Sequence, residues 1–146
     1  MTTVYAAAAR SKLHTRIDAL TADSRRRWGT MTVAQMIAHC DGHLRHSLGA
    51  PLTPVNKPIR HFPLNLLIIY LLPTPKGLPT MDELRDPAAG PLEEGRQRLK
   101  VSLEELGALP SGTRMPVHAA FGKIGHHAHG KLAHDHLDHH LKQFGV

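Results

Sequence analysis

Four stretches of helical periodicity separated by Pro/Gly-rich joints, and no segment that alternates at period two for long, restrict this chain to an all-α fold. The first stretch covers residues 3–20, where Leu13, Ile17 and Leu20 recur at helical spacing. The second opens on a capping-box pattern, with Thr32 placed to accept from the backbone three residues on and Gln35 placed to reach back. It runs over residues 33–48 and stops at Gly49, because glycine enters the left-handed conformation that ends a helix at little cost. A third long helix is expected over 92–106, with Leu92, Leu99, Leu103 and Leu106 on its apolar face. The last is expected over 126–144, ended by Gly145. Residues 50–61 hold three prolines and read as loop; 73–91, with a turn at 81–85, and 110–125 read as connections. The expectation is one domain over residues 1–146, a four-helix bundle with a long crossover and one short extra helix.

A chain of 146 residues with 41% hydrophobic and 21% charged residues has the composition of a globular domain. It can bury roughly two-thirds of its unfolded surface, so it needs no staples to hold a core. Cys40 is the lone cysteine, which excludes an internal disulfide and any cysteine-rich zinc finger. Residues 1–10 lack a basic segment followed by an apolar one, so a reducing cytoplasm is the expected compartment. The most apolar run, residues 62–72 (FPLNLLIIYLL), is 11 residues long. A membrane-spanning helix needs about 20, so 64–72 reads either as a short buried helix or as a partner surface, the latter making a homodimer. The net charge of +6 permits anionic partners without requiring them. Lys and Arg are scattered apart from residues 25–27, aromatics are 4%, and no helix-turn-helix is visible; neither nucleic acid nor membrane is expected as a partner.

Thirteen histidines are the anomaly of the composition. On a helical wheel of the last stretch, Leu132, Ala133, Leu137, Leu141 and Phe144 mark an apolar arc, and His136 and His140 fall in its middle, four residues apart. Side chains at i and i+4 project together, and a metal ion resolves the difficulty of burying two unpaired imidazoles. Lys131, His134, Asp135, Asp138, His139 and Lys142 take the opposite, solvated face. The second helix offers His39 and His43 at the flank of its own apolar arc, with His43 nearer the centre and His46 outside. His129 continues the His136–His140 face, whereas His126, His127 and His134 read as surface residues. Three neutral imidazoles leave coordination positions for water or substrate, and imidazole suits zinc or nickel better than magnesium or calcium. Cys40, central on an apolar arc, reads as inert packing, and Trp28–Gly29 as an anchor and a turn.

The segments RRRWGTMTVAQMIAHC (25–40), PTPKGLPTMDELR (73–85), HAAFGK (118–123) and HDHLDHHLKQFGV (134–146) resemble a branch of the DinB/YfiT-like superfamily. The resemblance implies a four-helix bundle holding a divalent metal through one histidine of the second helix and two of the last, in an H-x-x-x-H followed closely by Gln. By motif these are His39, His136 and His140, with Gln143 as the trailing amide and His43 as the reserve ligand. Members of the superfamily include thiol-dependent transferases and metal-dependent hydrolases. The leading expectation is therefore a thiol-dependent S-transferase at a zinc or nickel centre, with a low-molecular-weight thiol as cosubstrate deprotonated by the metal. The rival within the enzyme class is a hydrolase using metal-activated water, with His129 or His43 carrying the proton. Outside that class stands a non-catalytic metal-binding or stress-response module, in which the metal ties two helices together.

Overall fold

The computed structural model describes residues 1–55, 57–72, 81–85 and 87–146, and these are all-helical, with no strand and a single isolated bridge between His118 and Gly122. The part of the expected connection that spans 73–80 lies outside the described residues. Six α-helices follow in order: α1 (Ala7–Asp18), α2 (Val33–Ser47), α3 (Leu64–Leu71), α4 (Asp82–Arg85), α5 (Leu92–Gly107) and α6 (His126–Gln143).

The four long helices share one core. α2 packs against α5 and α6, and α1 against the same two. Leu13 and Ile17 of α1, Met36 and Leu44 of α2, Leu103 of α5 and Leu137 and Leu141 of α6 are all at most 1% exposed in one contiguous cluster. α1 starts later than its pattern suggests, because residues 3–6 have another task. The backbone N–H of Val4 donates to Gly130 O of α6 (3.1 Å), and the side chain is fully buried. At the start of α2 both halves of the capping box are made: Gln35 N–H donates to Thr32 Oγ1 (3.2 Å) and Thr32 N–H to Gln35 Oε1 (2.9 Å).

α3 departs from expectation. It covers Leu64–Leu71, but only Asn65 and Ile69 are buried, while Leu64, Leu67 and Leu71 are exposed. The helix does not fill the main core. It lies against the start of α6, where Ile69 joins Ile124 and Ala128 in a separate small cluster. Among the described residues no helix is long and apolar enough to cross a membrane.

α4 is only one turn, yet it bears directly on the site. It packs on α2 at Gly42, where a Cβ would lie 2.6 Å from Leu84 Cδ2. Glycine at that position lets Leu84 seat against α2 with its backbone carbonyl turned to the ring of His39.

Candidate metal centre

α2 and α6 are in contact, and each presents histidines to the other. His136 and His140, one turn apart on α6, meet His39 of α2 in a near-equilateral group. The ring centroids are 4.8 Å apart for His39–His136 and 4.6 Å for each of His39–His140 and His136–His140. One ligating nitrogen from each residue lies within 4.8 Å of the other two. A tetrahedral ion at ordinary zinc–nitrogen lengths would take ligands about 3.3 Å apart, a spacing within the 4.8 Å that bounds these nitrogens.

The partners of the remaining nitrogens fix which atom is free. His39 Nδ1 lies 2.7 Å from Leu84 O; a carbonyl only accepts, so Nδ1 carries the proton and Nε2 the lone pair. That Nε2 is buried with no hydrogen-bond partner, as is His136 Nε2. For His140 the chain is one residue longer. Gln143 Nε2 donates to Trp28 O (2.8 Å), which turns Gln143 Oε1 to His140 Nδ1 (2.8 Å) and again leaves the ligand lone pair on Nε2. Gly29 makes room for this link: its φ is +78°, and a Cβ there would fall 2.5 Å from Gln143 Nε2. Carbonyl or amide support of the second ring nitrogen is the usual way a protein orients a metal-binding histidine.

Burial holds all three rings neutral, the form that ligates. The pKa of His140 is pushed down to about 3, mainly by burial and secondly by His39; those of His39 and His136 are lowered by burial as well. Two buried, unpartnered imidazole nitrogens, on His39 and His136, beside a third neutral ring suit a divalent transition metal, so the His39/His136/His140 group can hold one.

A second group of histidines lies beside the first. His43 stacks flat on His136 (4.1 Å, 10°), and His118 stands 5.6 Å from His43, 5.3 Å from His46 and 5.6 Å from His129. His46, expected outside, is only 4% exposed: its Nδ1 donates to Ala50 O (2.8 Å) and its Nε2 accepts from Ala119 N–H (2.9 Å). The wheel misplaces it because the loops at 50 and 119 close over that face of α2. His129 is fully buried with both nitrogens engaged, Nε2 donating to Pro116 O (3.1 Å) and Nδ1 accepting from Ser47 Oγ (3.3 Å). In this arrangement both of its nitrogens serve the fold, and it stands outside the three-histidine group. His118, in the 110–125 loop, carries no periodic signal in the sequence. Its Nδ1 accepts from Ala120 N–H (3.1 Å) and Phe121 N–H (3.2 Å). Its proton is therefore on Nε2, which is buried without a partner, as is His43 Nδ1.

The other candidates keep to packing or surface roles. His127 is exposed and meets Tyr70 Oη (2.9 Å), His126 stacks on Tyr5, and His134 pairs with Asp135. Cys40 is 1% exposed; its thiol points to Met36 Sδ (3.7 Å), and burial pushes its pKa up, which is the opposite of a nucleophile's environment. Two clefts of about 350 and 670 Å³ are lined by other residues than the three metal-site histidines. Comparison of the chain with protein-family models, curated proteins and solved structures finds no match.

Proposed function

We propose that this chain is a metal-dependent enzyme of the DinB/YfiT-like type, a four-helix bundle whose His39, His136 and His140 hold zinc or nickel for thiol-dependent S-transfer to a small molecule. The observation that carries this reading is the number of ligands: the group brings together three neutral imidazoles and, among the described residues, no fourth one. Structural zinc sites are closed by four protein ligands, whereas catalytic sites keep a position open. A bound ion supplies Lewis acidity that lowers the pKa of a coordinated thiol, so that the nucleophile forms at neutral pH without a protein base.

The chain's own residues do the rest. Leu84 O and Gln143 Oε1 orient the rings of His39 and His140. His43 lies flat against His136 and packs that ring. The rival, hydrolysis by metal-activated water, would still need a protein group to protonate the leaving group. His129 has both ring nitrogens engaged, and burial keeps the pKa of His43 well below the ordinary histidine value. Burial keeps both rings unprotonated at neutral pH, so neither offers the proton a leaving group would take.

The test is elemental mass spectrometry on untagged protein beside the His136→Ala/His140→Ala variant, followed by assays with and without a small thiol. The expected result is about one zinc or nickel per chain in the wild type, lost in the variant, and product formation only with thiol. Equal metal in both proteins would remove the three-histidine reading. Turnover in water alone would favour the hydrolase. Collapse of the fold on chelation, without any turnover, would favour a non-catalytic module whose metal is structural.

A further inference from the structure

Exposed large apolar side chains are concentrated in one short run. Phe62 is 79% exposed, Leu71 68%, Leu72 58% and Leu67 48%, with Leu64 beside them; among the described residues only Met1, Val101 and Val117 are comparable. Leu64, Leu67 and Leu71 recur at helical spacing and form the outer stripe of α3. The inner side is fastened: Asn65 Nδ2 donates to Phe121 O (3.0 Å) and Lys123 O (3.4 Å), and Ile69 packs on Ile124 and Ala128. The helix is anchored by one face and bare on the other.

Charge is segregated to the same part of the chain. Residues 42–81 and 106–134, which contain α3 and the segments it packs against, hold seven Lys/Arg and no Asp or Glu. The remainder holds eleven Lys/Arg against twelve Asp/Glu, so the net +6 arises entirely in these two segments. Lys57 and Lys123 are exposed next to α3 in the chain and in its contacts. The first acid along α6 is Asp135, and it is paired with Lys131.

We propose that this face docks on the surface of an anionic lipid bilayer, with Phe62 and the outer leucines entering the interfacial region and Lys57 and Lys123 meeting headgroups. A second copy is a poorer occupant, because a two-fold contact sets the same patch against itself and brings basic residues face to face. Nucleic acid would use the cations but offers the aliphatic stripe nothing to stack on. An anionic bilayer takes up both features, since interfacial binding combines buried apolar area with attraction to acidic lipid. The expectation of no membrane partner rests on a run too short to span; lying in the interface requires no spanning length. The inference does not depend on the metal centre.

The test is sedimentation of the full chain with phosphatidylcholine vesicles with and without phosphatidylglycerol, at low and high salt. The expected result is binding only when phosphatidylglycerol is present, weakening with salt. Leu67→Glu/Leu71→Glu abolishes it with thermal unfolding unchanged, because both side chains are exposed. Phe62→Ser, outside the helix, provides an independent loss should the double variant fold poorly. Lys57→Gln and Lys123→Gln each weaken binding roughly fivefold. No binding by the wild type, or equal binding to both vesicle types, overturns the proposal. So does a dimer that Leu67→Glu/Leu71→Glu dissociates in the absence of vesicle binding, or RNA binding that the leucine variant retains while vesicles are ignored.

Discussion

Two groups of buried or half-buried histidines lie side by side around α2 and α6, and they differ in which ring atom is left over. In the first, His39 and His140 give their Nδ1 protons to Leu84 O and Gln143 Oε1, so the atom facing inward is a lone pair. In the second, His118 accepts two backbone N–H groups at Nδ1, so the atom left over is an N–H, which cannot ligate a metal unless it is deprotonated. His46 and His129 have nothing left over at all. Burial alone therefore does not make a histidine a ligand; the tautomer imposed by its other nitrogen does. In the second group His46 and His129 work as hydrogen-bonding framework, tying residues 50, 116 and 119 onto α2 and α6, and His118 closes the turn at 118–121.

The largest test of this contrast is acid. Burial pushes His118 down to about 3 and His129 to about 4. In the unfolded chain both titrate near 6.5. Between those values the unfolded state binds protons that the folded state refuses, so stability is full above about 6.5 and falls as pH falls towards the folded values. Each histidine contributes a slope of about 1.4 kcal/mol per pH unit, or about 2 kcal/mol at pH 5 relative to neutral pH. Urea unfolding at pH 7.5 and pH 5, with chelator present, measures it. His118→Phe should flatten the dependence; equal stability at both pH values would mean these rings are not held buried and neutral.

His46→Ala comes next. It leaves Ala119 N–H without its partner in a buried setting and Ala50 C=O in a half-buried one, at a cost of about 1–3 kcal/mol. Metal content should be unchanged, because His46 is outside the ligand group. Loss of stability together with retained metal is the outcome that separates framework from ligand. Loss of metal in a still-folded His46→Ala protein would break the distinction between the two groups.

Much of this was legible before any coordinates. Period-3.6 patterning carries the long helices, and the 32–35 capping box and Gly49 set the ends of α2, because those signals are local. His136 and His140 stand out because two imidazoles one turn apart on an apolar arc conflict with burial unless something ligates them. What was not legible depends on contacts between segments distant in sequence. The wheel prefers His43 to His39, since it registers depth and not the direction of a lone pair; the three nitrogens that come together include His39. Leu84 supports His39 through a backbone carbonyl, which has no residue-type signature. His118 lies in a loop without period, and His46 is covered by loops whose path no helical pattern describes. The sequence leaves α3 open between a buried helix and a partner surface for a related reason: an all-apolar helix gives no periodic contrast to say which side is covered.

The smallest effect expected is the most specific to the metal centre. Gln143 links Trp28 O to His140 Nδ1 and thereby sets the tautomer and the angle of one candidate ligand. Gln143→Leu keeps the volume and removes the link, and supporting residues of this kind are worth roughly 10–100-fold in metal affinity. Competition with a chromophoric chelator at neutral pH measures that loss, and histidine nitrogen NMR shifts report the mechanism. In Gln143→Leu the His140 signal should lose its single-tautomer character, while His39, held by Leu84 O, keeps it. Gly29→Ala attacks the same link from the other side, because its Cβ would fall where Gln143 Nε2 now sits and its φ of +78° disfavours any side chain. The two substitutions should be markedly less than additive in metal affinity, since both break one chain of hydrogen bonds. Additive losses would show that Gly29 and Gln143 act on the centre separately, and the turn at 28–29 would then be packing alone.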